Sequence, residues 1–169
     1  HNLKAIGYQT GCGIMAGLPY QTTAHIAEDL DFMHGLQPEM VGIGPFIPHH
    51  DTPFKDRPAG TLRQTLLLLA IVRLMLPDVL LPATTALGTI EPDGREQGVM
   101  AGANVVMPNL SPMEVRKKYM LYDNKISTGM EAAANIKELK RRMASIGYEV
   151  VTDRGDHKKI KEVPALKTS

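Results

Sequence analysis

Four short apolar runs recur along the chain, separated by polar loops and amphipathic stretches: Tyr8–Met15, Met40–Ile43, Val79–Thr84 and Ala103–Met107. Each shows little polar alternation, the pattern of strands covered on both faces in a parallel sheet. Between the first two, Ile26, Leu30 and Met33 recur at helical spacing. They share one face and predict a helix from about Thr22 to His34, capped by Thr22 or Thr23. Thr61 to Met75 is a stronger helix, apolar on nearly every side and stopped by Pro77. Strand, loop and helix thus follow one another repeatedly, which predicts an α/β fold with helices packed on a parallel sheet.

Further on, Ser111 to Tyr122 reads as a helix with Ser111 as cap, Pro112 at its first position and Glu114 at the capping-box position. A last helix is predicted from Met130 or Glu131 to Ile146, with Ile136, Leu139 and Met143 on its apolar face and Gly147 ending it. Tyr148 to Val151 reads as a short strand. From Asp153 the chain is polar, Lys-rich and without periodicity.

The strand–helix period matches one βα unit, and a full eight-unit barrel needs roughly 250 residues. The first part of this chain therefore supplies about half of one; a small doubly wound sheet is the other topology this order allows. Each strand runs into a distinctive segment: Gly17-Leu18-Pro19, Pro45 to His50, Thr84-Thr85 and Met107-Pro108-Asn109. In barrels, the loops at that end converge on the active site. Gly11, Gly13 and Met15 share one parity on the first strand, as do Gly42 and Gly44 on the second. That parity either leaves a hollow interior where a ligand touches backbone, or serves close packing and bulges.

Composition narrows the classes. With 169 residues, 43% hydrophobic and 22% charged, the chain has enough material for a core, and disorder does not describe it. A net charge of +1 gives no uniform field for nucleic acid or an anionic membrane. The positive excess lies after residue 136, where the lysines lack interleaved aromatics, so a solvated tail fits better than a nucleic-acid arm. One cysteine, Cys12, excludes a disulfide framework and a cysteine-only metal site. Leu66 to Val72 is too short to span a bilayer, no signal-peptide pattern is present, and the chain opens on His1 instead of a methionine, which points to processing or to a longer parent.

Candidate chemistry is sparse. Thr84-Thr85 offers two hydroxyls at a strand end, suited to holding an anion; β-propensity followed by helix capping is the plainer account. His49-His50-Asp51 is the one cluster of metal-ligating residue types, but neighbouring side chains on an extended segment point apart, so the expectation is no metal site, with His49 facing a ligand and His50 at the surface. No nucleophile motif, dinucleotide fingerprint or P-loop is present. Met15 and Met107 are soft residues near the predicted mouth, though ten methionines make core packing their default role.

The blocks YQTGCGIMAGLPYQT, MVGIGPFIPHHDTP, LPATTALGTIEPDGRE and GANVVMPNLSP, followed by YMLYDNK, resemble the radical S-adenosylmethionine (SAM) superfamily. The branch is that of biotin synthase and methylornithine synthase, and the likeness is greatest to its [FeFe]-hydrogenase maturases. The resemblance covers about residues 4 to 150 and implies a partial TIM barrel: strands five to eight of a (β/α)8 barrel in residues 1–124, a helical extension in 125–152 and a tail in 153–169. It implies a cytoplasmic enzyme in which SAM and one [4Fe–4S] cluster generate a 5′-deoxyadenosyl radical that acts on an iron-bound or small-molecule precursor. Other hydrogenase maturases are implied partners; nucleic acid and membrane are not. Biotin synthase-like or methylornithine synthase-like activity is the alternative.

By the same resemblance, Met15, Gly17 and Leu18 contact SAM, and Gly42, Ile43, Gly44 and Pro45 form the segment whose backbone approaches its adenine. Thr84, Thr85, Met107 and Tyr119 line the substrate cavity. None is expected to transfer a proton, because the cofactor carries the chemistry. The family's Cys-x-x-x-Cys-x-x-Cys cluster loop is absent from this sequence, so the chain by itself is expected to be inactive. Ser127, Asn135 and Glu138 stand where some members carry thiolates, which implies no auxiliary cluster. An open half-barrel exposes strand edges and an apolar face. A missing half supplied in cis or in trans, or a second copy forming a non-catalytic dimer, are the three ways to cover them.

Overall fold

The computed structural model describes residues 1–108, 112, 114 and 132–158. Helix α1 (Asn2–Ala5) leads into strand β1 (Gly11–Ala16), helix α2 (Thr23–Leu36) and strand β2 (Met40–Pro45). Helix α3 (Leu62–Met75), strand β3 (Pro82–Ala83), helices α4 (Thr85–Ile90) and α5 (Gly94–Met100), strand β4 (Val105–Val106) and helix α6 (Ala132–Ser145) follow. The predicted helix from Ser111 to Tyr122 falls largely outside the described residues.

The strands are parallel, as the apolar runs require. β1 pairs with β2 from Gly11↔Met40 to Ala16↔Pro45, and β3 pairs with β4. A parallel bridge between Met40 and Leu80 joins the two ladders. The described residues close no barrel. Strand three spans Pro82–Ala83 of the expected Val79–Thr84, and the ladder is interrupted at Leu81. A side chain fills part of that gap: Asn104 Oδ1 accepts the Leu81 N–H at 2.8 Å, and Asn104 N–H donates to the Leu81 carbonyl at 2.9 Å.

Local chemistry sets the helix starts. Thr22 caps α2 and forms a reciprocal box with His25, whose ring accepts the Thr22 N–H. Thr61 caps α3 through the Gln64 N–H. Helices α2 and α3 cover one face of the sheet, where Met33, Leu68, Leu69 and Val72 bury Val41, Ile43 and Leu81. Arg73 at the end of α3 ties that layer to the loops below, donating to the carbonyls of Gly102, Pro77 and Val79. A second cluster sets Leu139 and Met143 of α6 against Ala83, Val99 and Ala103. There Arg142 grips the buried Glu96 carboxylate of α5 with two donors.

Two expectations change. Tyr148 to Val151 forms no strand. The polar segment from Asp153 is anchored as far as Lys158: Gln9 Nε2 donates to Asp156, His157 N–H donates to Gln9 Oε1 at 2.9 Å, and Lys158 pairs with Asp78. These contacts are made by residues far apart in the chain, which local pattern cannot register. No helix among the described residues is long and apolar enough to cross a membrane.

Candidate functional site at the strand ends

The alternation of β1 and β2 separates two environments. Cys12 and Ile14 pack toward the helices, with Ala16, Val41 and Ile43 fully buried. Burial and the nearby Asp29 carboxylate push the Cys12 thiol above its ordinary pKa, which suits a packing residue better than a nucleophile. Gly11, Gly13 and Met15 face the other way, in register with Met40, Gly42 and Gly44. Met15 is 51% exposed. Gly13 is required by packing, since a Cβ there would lie 2.3 Å from the Gly42 carbonyl oxygen. Gly42 is different: a Cβ there would meet only the Cys12 carbonyl, at 4.0 Å, and otherwise enter open space. The strip is therefore a bare backbone trough flanked by methionine side chains. Close packing thus accounts for Gly13, while Gly42 opens onto space.

The trough ends in two turns. Gly17, at φ +80°, turns the chain after β1 against Gly60, where any side chain would collide with the Gly60 backbone. Gln21 braces this turn: its Oε1 accepts the Gly17 N–H at 2.8 Å, and its Nε2 donates to the Met15 carbonyl. Leu18 shares the turn, its carbonyl accepting the Gln21 N–H. Pro45 ends β2 opposite Ala16, and the Phe46 N–H bonds the Ala16 carbonyl at 2.8 Å, holding the two strand ends together. Ile43 reaches the trough only through its backbone.

The threonine pair sits beside this surface. Thr84 precedes α4 but makes no side-chain capping bond. Its Oγ1 is turned toward Gly44, 3.1 Å from where a Gly44 Cβ would stand, and is buried with no hydrogen-bond partner among the described residues. Thr85 Oγ1 accepts from Arg95 Nη2 at 3.3 Å. The two neighbours thus split their work, one hydroxyl facing the trough and the other facing a cation from α5. Sequence reasoning passed over Arg95, which lies ten residues on with no local motif to mark it. Met107 is half exposed just after β4. Tyr119 lies outside the described residues. A separate small hollow, lined by Gln37, Leu76, Val79 and His157, lies before the starts of β2 and β3, at the opposite end from these residues.

Comparison with known proteins adds relatives. No protein-family model matches the chain. Over 160 residues, 95% of its length, it is 44% identical to the [FeFe] hydrogenase maturase subunit HydE of Thermotoga maritima, of which it covers 46%. That relative is a radical SAM maturase. Two 3-methylornithine synthases, from Methanosarcina acetivorans and Methanosarcina barkeri, are each 30% identical over 146 residues, 86% of this chain and 40% of theirs. The chain spans about half the length of the curated relatives it matches. The match to HydE takes in 160 of the 169 residues, so the trough and the threonine pair lie within the matched stretch.

Proposed function

We propose that this chain is the barrel's second half in a radical SAM enzyme of [FeFe]-hydrogenase maturation. In this reading β1 to β4 are strands five to eight of a (β/α)8 barrel within residues 1–124, followed by the 125–152 extension and the 153–169 tail. The observation that carries the reading is the backbone trough of Gly42 and Gly44 with the buried Thr84 hydroxyl, unpartnered among the described residues, beside it. A backbone surface without side chains accepts a flat heterocycle, and a buried hydroxyl lacking a partner costs stability unless a ligand satisfies it.

SAM fits these residues. Gly42 to Pro45 would present backbone to its adenine, while Met15, Gly17 and Leu18 would close the far side. When bound, SAM beside a reduced cluster supplies the carbon-centred radical that starts the reaction. The chain's own work is positioning and enclosure: excluding water from the trough and holding a precursor against Thr84, Thr85, Met107 and Tyr119. A [4Fe–4S] cluster does not fit this chain, because Cys12 is its one thiol and it packs among core residues. The cluster would belong to a partner half, in cis or in trans, and the chain alone would be inactive. The iron-bound precursor, cooperation with other maturases and a cytoplasmic setting follow from the same reading.

The test is SAM binding by the complete enzyme carrying this segment, measured by equilibrium dialysis. Gly42→Val has room in the fold and suits a strand, but it places a branched side chain in the trough. Folding should be retained and SAM affinity lost. Unchanged affinity would remove the trough from the cofactor site.

A further inference from the structure

The turn after β2 brings together three side chains that were expected to point apart. One ligand atom from each of His49, His50 and Asp51 lies within 4.8 Å of the others. His50 Nε2 is 3.5 Å from Asp51 Oδ2, and His49 Nδ1 is 4.0 Å from the same oxygen. The expectation that neighbouring side chains diverge holds for an extended segment, and this segment bends. Thr52 N–H and Oγ1–H both donate to the His49 carbonyl, at 3.0 and 2.8 Å, and Asp51 N–H donates to His49 Nδ1 at 3.1 Å. The two imidazoles stack with centroids 4.3 Å apart.

We propose that His49, His50 and Asp51 form a binding site for a borderline divalent transition metal such as zinc or cobalt, a function separate from the SAM reading. Two imidazoles and one carboxylate are the donor set such ions take, with water completing the shell, whereas magnesium and calcium prefer oxygen throughout. Nitrogen and oxygen ligands about 2.0–2.2 Å from a tetrahedral ion stand roughly 3.3 Å apart. The His50–Asp51 pair is near that spacing already, and both side chains are exposed enough to swing in. His49, with its side chain 16% exposed, is the fixed member. Binding at its Nδ1 exchanges the Asp51 N–H bond for a metal bond, and the released N–H lies at the surface where water can take it. The loop bearing the turn is fastened at both ends, since the Gly60 N–H bonds the Phe46 carbonyl at 2.8 Å and Phe46 is itself tied to Ala16. The ion would thus sit on a fixed rim of the strand-end opening.

The purified protein, freed of metal by chelator dialysis, is titrated with zinc chloride by calorimetry and with cobalt chloride by visible absorption. The expected result is one equivalent bound, removed again by chelator. His50→Ala and Asp51→Asn, both exposed positions whose folding is checked by circular dichroism, should each weaken binding by roughly tenfold or more, since even outer-shell partners are worth that much. His1→Ala should leave it unchanged. Absence of binding, or binding that survives both loop variants and disappears with His1→Ala, overturns the proposal.

Discussion

Thr84→Val should stabilise the protein. The substitution keeps the branched shape and replaces the buried, unpartnered Oγ1 with a methyl group. Nothing is lost at the start of α4, because Thr84 makes no side-chain capping bond there. An unsatisfied buried polar group costs about 1–3 kcal/mol, so that is the expected gain. For a domain of this size each kcal/mol moves the melting temperature by about 2–4 °C, giving a rise of about 2–12 °C. Thr85→Val is the matched control. It removes the acceptor that Arg95 reaches at 3.3 Å and should destabilise by about 1 kcal/mol. Urea unfolding followed by circular dichroism, compared at constant slope, reads both changes, and calorimetry reads the melting temperatures. Opposite signs for two adjacent threonines would be hard to obtain from β-propensity or helix preference, which move both the same way. If Thr84→Val instead destabilised by about 1 kcal/mol, the hydroxyl would already be satisfied in the free protein. The hydroxyl would then not be awaiting a ligand.

Two further outcomes follow from the packing. Burial raises the Glu39 pKa, but hydrogen bonds from Lys4 Nζ (2.5 Å) and the Thr10 N–H (2.7 Å) outweigh it and hold the carboxyl below the usual glutamate range. Its contribution to stability is therefore present above the unfolded pKa of about 4.3 and is lost as pH falls through the lower folded value; Glu39→Gln should be less stable at neutral pH and show a flatter acid limb in pH-dependent urea melts. Gly60→Ala would set a Cβ 2.1 Å from the Ala16 carbonyl oxygen and 3.0 Å from the Phe46 nitrogen, both backbone atoms. A loss of about 3 kcal/mol or more is expected by denaturant titration, and a neutral result would mean that the junction of the two strand ends yields easily.

Much of this architecture is local and could be read from residue order. Apolar runs without alternation gave parallel strands, helical spacing in Ile26, Leu30 and Met33 gave α2, and Thr22 and Thr61 stand as caps where short polar side chains precede such runs. These features depend on neighbours within a few residues, so sequence carries them directly. The shared parity of Gly11, Gly13, Gly42 and Gly44 was also visible, because a strand's period is two. Its meaning was not. Only the β1–β2 register and the atoms above each glycine separate Gly13, required by close packing, from Gly42, which opens onto space. The same limit applies at Thr84 and Thr85: adjacent and chemically alike, they diverge because Gly44 lies beside one and Arg95 beside the other. It applies again at His49, His50 and Asp51, whose convergence depends on a bend that residue identity alone did not announce. Tertiary structure decided these points because side-chain roles are set by what the fold places opposite them, and those partners come from other segments of the chain.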